Sequence, residues 1–174
     1  MEPSDSSTPA ESLCAQCGLC CNGVLFHNVR ILGNDSIGEL TALGLRIWKK
    51  KGERVLLQPC PAHTECSCRI YDQRPMRCRL FECRQLQRLN AGEITEADAR
   101  EKIRSTKTLV AEIETLLTAL GEKHTERPLS KRQEHIESEP LHPTSEPAVV
   151  EKRRRLNQAM AELNEILNAD FRVE

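Results

Sequence analysis

Aromatic residues are scarce in this chain. They make up 3% of its 174 residues, with one tryptophan, one tyrosine and three phenylalanines. So little bulky apolar material does not fill a large core, and such a domain calls for a staple, either a metal or a set of disulfides. An excess of charge of one sign is lacking too, since the formal net charge is −1. Bulk electrostatics therefore select neither nucleic acid nor an anionic membrane. No apolar run approaches the roughly 18–20 residues of a membrane helix. The opening stretch MEPSDSSTPAE has neither a basic region nor an apolar segment, which argues against a signal peptide. The expected setting is cytoplasmic, where thiols stay reduced.

Cysteine, by contrast, is abundant. All nine lie between Cys14 and Cys83. An odd number of thiols in a reducing compartment fits a disulfide framework poorly. The first cluster reads Cys14-Ala-Gln-Cys17-Gly-Leu-Cys20-Cys21. A two-residue gap lets a tight turn aim two sulfurs at one ion, and Gly18 frees the backbone to make it. If the segment is helical, the four cysteines lie close to one face. In either geometry four neighbouring thiolates repel one another unless a cation sits among them.

The second cluster runs from Pro59-Cys60-Pro61 through Cys66-Ser67-Cys68 and Arg74-Pro75-Met76-Arg77-Cys78 to Cys83. Prolines on both sides of Cys60 stiffen the backbone there, and Arg74-Pro75 sets a turn before Cys78. Eight thiolates around two Zn²⁺ leave about −4 by addition. Arg69, Arg74, Arg77, Arg79 and Arg84 stand among these cysteines and can offset that charge, with guanidinium N–H groups donating to ligand sulfurs. A basic patch touching RNA is the competing reading, but no aromatic residues interleave with it, so nucleic acid is disfavoured.

The pattern CAQCGLCC, then PCP, then CRIYDQRPMRCRLFEC resembles the YkgJ-type CxxCxxCC cysteine-cluster family, described as a zinc- or iron-chelating domain. The resemblance covers about residues 12–85. It implies a metal ligand set of Cys14, Cys17, Cys20, Cys21, Cys60, Cys68, Cys78 and Cys83. Tyr71, Arg74, Pro75 and Arg79 match the other signature positions, and Arg74 and Arg79 are the candidates for contact with the bound group from outside the ligand shell. Cys66 departs from the pattern as an extra thiol. A flagellin lysine-N-methylase group shares the cysteine signature, which keeps an enzymatic role open.

Zinc and iron both suit these residues. Cys14/Cys17 has the spacing of a zinc ligand pair, while C-x2-C-x2-C echoes a ferredoxin run that could hold an iron–sulfur cluster. Adjacent Cys20 and Cys21 do not easily chelate one ion, which favours a cluster or paired sites. Two readings follow. One is a metal-binding cysteine-cluster protein without an assigned role; the other is an iron–sulfur redox or methyl-transfer enzyme. Among the histidines His27, His63, His124, His135 and His142, only His63 falls inside the cysteine set, where it either replaces or supplements a sulfur or, the favoured reading, is a solvent-exposed loop residue. His124, His135 and His142 lack ligand spacing. No P-loop, dinucleotide-binding glycine pattern, G-x-S-x-G or H-E-x-x-H occurs.

The expected fold is a small irregular α+β or mostly α, metal-stapled cysteine domain with C-terminal amphipathic helices. Residues 1–11 read as a disordered tail and 12–90 as the cysteine-cluster domain. Within the latter, strands are expected at Val24–Phe26 and Arg54–Leu57, a helix capped by Asp35 or Ser36 running to about Leu43, and Trp48 packed beside a solvated Lys49-Lys50-Lys51 turn. Residues 91–121 form an amphipathic helix capped by Thr95, with a stripe of Ile103, Val110, Ile113, Leu117 and Leu120 and a stop at Gly121. Residues 122–147, broken by Pro128, Pro140, Pro143 and Pro147, read as a linker. A second stripe, Val149, Leu156, Met160, Leu163 and Leu167, marks a helix over 148–174. These two helices either pack within the chain or recruit a protein partner.

Overall fold

The computed structural model describes residues 9–65, 67–141 and 146–173. Cys66, His142 and residues 1–8 of the expected tail lie outside the described residues. The fold is mixed α+β. Helix α1 (Pro9–Cys17) is followed by strand β1 (Asn28–Arg30), α2 (Ile37–Ala42), β2 (Ile47–Lys50) and β3 (Glu53–Leu57). The short strands β4 (His63–Thr64) and β5 (Ser67–Cys68), a 3-10 turn at Tyr71–Gln73, and α3 (Met76–Leu80) come next. Four helices complete the chain: α4 (Arg84–Asn90), α5 (Glu96–Ala119), α6 (Leu129–Ser138) and α7 (Pro147–Ile166), the last ending in a π-helical turn, Leu167–Phe171.

The long helix α5 forms where its stripe and caps agree. Thr95 accepts from the Asp98 N–H while the Asp98 carboxylate accepts from the Thr95 N–H, a reciprocal capping box. At the other end Gly121 takes φ +90. Its N–H donates to Thr118 O, and the Glu122 N–H donates to Leu117 O, the pair of bonds that defines a Schellman stop. Ile103, Val110, Ile113 and Leu117 face inward and meet Leu156, Met160, Leu163 and Leu167 of α7 and its π turn. Leu13, Leu19 and Leu86 belong to the same core, so the helix pair is packed on the cysteine-bearing elements. Burial at roughly 25 cal/mol per Å² makes these leucines the main apolar contribution in a chain with few aromatics.

Strands β1, β3 and β2 form an antiparallel sheet in that order, with Val29 opposite Leu56 and Trp48 opposite Val55. Ile31, Leu40, Leu45, Leu56 and Ala62 make a second, smaller core beneath it. Helix α2 is capped by Ser36, as its sequence indicates.

Several local expectations are corrected. Val24 and Leu25 are not strand: the Leu25 N–H donates to Leu19 O and the Val24 N–H to the Asn22 side chain, and both residues are buried in the main core. Trp48, on the edge strand β2, is not packed but 63% exposed. The expected linker contains α6, whose buried Leu129, Arg132 and Ile136 dock it onto the helix pair. Pro128 and Pro140 bracket that helix instead of breaking it, since proline is costly only in a helix interior.

Candidate metal centre

Five separate segments carry the eight described cysteines, all of them free thiols. Cys14 and Cys17 lie on the last turns of α1. Gly18, at φ +75, ends that helix and turns the chain so that Cys20 and Cys21 follow in a tight turn, where the Cys21 N–H donates to Gly18 O. The Cys60 N–H donates to Cys21 O at 2.7 Å, tying the second cluster to the first. Cys68 sits on β5 opposite His63 of β4. Cys78 lies on α3, whose first N–H, that of Met76, donates to Asp35 Oδ1 at 2.8 Å. Cys83 is the N-cap of α4.

Adjacent cysteines face different neighbours. The cysteines near enough to oppose ionisation of Cys20 are Cys17, Cys83, Cys21 and Cys14, whereas those that oppose ionisation of Cys21 are Cys60, Cys78, Cys68 and Cys14. The two sets have Cys14 in common, and Cys21 itself belongs to the set around Cys20. Burial pushes the thiols up, Cys17 and Cys78 to about 12. Backbone N–H groups act in the opposite sense: Leu19 donates to the Cys17 sulfur, Ala62 and His63 to Cys60, and Gln85 and Leu86 to Cys83. Such donors stabilise a thiolate over a thiol.

Arg74 approaches the sulfurs most directly. It hydrogen-bonds the Cys14 side chain, its Nε donates to Tyr71 O at 2.7 Å, and its guanidinium lies 3.5 Å from the centre of the Tyr71 ring. Arg79 donates to the carbonyls of Arg74 and Asp72 and so braces the turn that carries Arg74.

A cavity of about 460 Å³ opens among these residues, lined by Cys14, Cys20, Cys21, Cys60, Cys68 and Cys78 together with Tyr71, Arg74 and Phe26. His63 also lines it. This histidine is not the solvent-exposed loop residue its sequence context suggests, since its Nε2 is buried, has no hydrogen-bond partner among the described residues and lies against Gly18. Among the described residues, the donor trio drawn within 4.8 Å of one another is Glu122, His124 and His135, outside the cysteine set. Among the described residues no three cysteine sulfurs all lie within 4.8 Å of one another, against the roughly 3.8 Å between ligands of a four-sulfur zinc site. Donor chemistry nevertheless fits a metal: free thiols, N–H groups aimed at three sulfurs, and a guanidinium on a fourth.

Fold and site together define a mixed α+β protein with a cysteine-lined pocket carried on short loops and helix ends. The family model CxxCxxCC, "Putative zinc- or iron-chelating domain", matches residues 13–105, more than half of the chain, and the chain belongs to that family. The family supports binding of a metal ion, zinc or iron. No curated protein and no solved structure matches the chain. Among the described residues no helix is long and apolar enough to cross a membrane.

Proposed function

We propose that the protein is a metal-binding module holding its metal through two four-cysteine groups, Cys14, Cys17, Cys20 and Cys83 in one and Cys21, Cys60, Cys68 and Cys78 in the other. What supports this reading is that the cysteines acting on Cys20 (Cys17, Cys83, Cys21 and Cys14) and those acting on Cys21 (Cys60, Cys78, Cys68 and Cys14) have only Cys14 in common. Arg74, on the Cys14 sulfur, offsets part of the thiolate charge. Thiols in this number call for a reducing compartment, in keeping with a cytoplasmic setting.

A second reading, an iron–sulfur centre with redox or methyl-transfer chemistry, is favoured by one feature. The 460 Å³ cavity is far larger than a single ion needs, and its lining includes six of the cysteines. An inorganic cluster fits both that volume and the wide sulfur spacing.

The test is anaerobic purification with elemental analysis, acid-labile sulfide and a visible spectrum, applied to the unaltered protein, Cys17→Ser and Cys60→Ser. Two separate groups predict that each variant loses about half the metal while the other half stays bound. Loss of all metal from both variants refutes the two-group reading in favour of one shared centre. Sulfide matching the iron supports the cluster, and colourless protein with zinc and no sulfide removes it. Metal content unchanged in both variants refutes the ligand assignment.

A further inference from the structure

Ten residues lie between His124 and His135, and nothing in that spacing suggests a shared site. The turn between α5 and α6 brings them together. The Schellman stop fixes Glu122, whose side chain has no exposed surface. One of its carboxylate oxygens accepts from the His124 N–H at 2.6 Å, and the other lies 2.6 Å from His135 Nδ1. The rings of His124 and His135 meet edge to face with centres 5.4 Å apart. His124 Nδ1 lies 3.1 Å from Glu126 Oε1, so a second carboxylate stands just outside the trio.

We propose that Glu122, His124 and His135 form a second divalent-metal site of nitrogen and oxygen donors, separate from the cysteines and suited to Zn²⁺. Three physical features carry it. First, one donor atom from each residue lies within 4.8 Å of the other two, while ligands of a tetrahedral zinc at about 2.0–2.2 Å stand roughly 3.3–3.6 Å apart. The required adjustments are therefore small. Second, the carboxylate is buried and held by a backbone N–H and the helix stop, so it is pre-positioned before any ion arrives. Third, two neutral imidazoles with the Glu122 and Glu126 carboxylates balance the charge of a dication. Glu126, beside the His124 ring, can fix that ring's orientation in the manner of carboxylates behind zinc-bound histidines. Both histidines are partly exposed, at 37% and 43% of their side chains, which leaves a path for the ion and a place for water on it. Without an ion the same groups form an ordinary His135–Glu122 pair, and that alternative is what the experiment separates.

The experiment loads the full-length protein with ¹¹³Cd²⁺ under reductant and records ¹¹³Cd NMR, in which thiolate-bound and nitrogen/oxygen-bound cadmium resonate in widely separated regions. The expected result is one resonance in the nitrogen/oxygen region that is lost in His124→Gln and in Glu122→Gln but kept in Cys17→Ser. Competition with Zn²⁺ should show at least a tenfold weaker affinity in either variant. His124 is exposed enough that its substitution leaves the fold intact, which circular dichroism verifies. Absence of any such resonance, or one that survives both substitutions, overturns the site. Because the thiolate signals are read in the same spectrum, failure here leaves the cysteine reading standing, and loss of the thiolate signals alone leaves this one standing.

Discussion

Gly18→Ala tests how the first cysteine cluster is built. Gly18 has φ +75, a conformation that costs an L-residue about 1–2 kcal/mol. A methyl group there would also lie 2.5 Å from His63 Nε2 and 3.1 Å from Cε1, where ordinary contact begins at 3.4 Å. The imidazole, being a side-chain end, can tilt away by almost an ångström, at about 0.5–1.5 kcal/mol for leaving its rotamer. The two terms sum to about 1.5–3.5 kcal/mol. Gly44→Ala is the control: φ is +84, no atom of the described residues lies within 4 Å of the added carbon, and about 1–2 kcal/mol is expected from the backbone alone. In a His63→Ala background the Gly18→Ala cost should fall to that of the control. Urea denaturation of the purified protein under reductant measures all four variants. A Gly18→Ala cost equal to the control, unchanged by His63→Ala, refutes the claim that the cysteine turn is closed over by the histidine.

Leu163 is 2% exposed in the face that α7 turns to α5, so Leu163→Ala should cost about 2–5 kcal/mol in the same assay. A cost under 1 kcal/mol would mean that the helix pair is not part of the cooperative fold. Thr95→Ala removes the acceptor for the Asp98 N–H and should cost about 1 kcal/mol near neutral pH. The Thr95 hydroxyl, then its backbone N–H, hold the Asp98 carboxyl below its usual range. The capping box therefore contributes fully above the ordinary aspartate pKa of about 3.9 and loses its contribution as pH falls through the lowered value. The difference between Thr95→Ala and the unaltered protein should accordingly shrink in acid, and a difference constant down to pH 2 would refute the linkage.

Periodicity made the long helices legible and left the site's geometry hidden. The stripes of α5 and α7 are set by residues within one element, and Ile103, Val110, Ile113, Leu156 and Leu163 are buried as their spacing indicates. Thr95 and Gly121 are local signals and mark the ends of α5. The eight cysteines were visible as a pattern, but their grouping depends on five segments converging. Helix α6 was obscured because proline composition does not reveal whether a proline begins a helix or interrupts one. Burial of Leu129 and Ile136 against α5 and α7 decides that, and sequence-local propensity does not contain it. The meeting of His124 with His135 was hidden for the same reason, since it exists only once α6 turns back from the end of α5.

The two proposed cysteine groups would be coupled to different parts of the fold. Cys14 and Cys17 lie on α1, which packs on α5, and Cys83 caps α4, onto which the end of α7 docks. That docking is direct: Arg84 donates to the carbonyls of Asn168 and Ala169, and Gln85 to that of Asp170. Metal held at the proposed Cys20 group would crosslink elements embedded in the main helical core, and its loss should then loosen α1 and α4 against α5 and α7. Around Cys21, Cys60 precedes β4 and packs on the smaller core under the β1–β3–β2 sheet, Cys68 ends β5, and Cys78 lies on α3, whose Met76 N–H donates to Asp35. With a core of five buried apolar side chains there, this region has far less packing of its own to fall back on. Metal at the second group would therefore contribute a larger share of local stability than metal at the first, although both use four sulfurs.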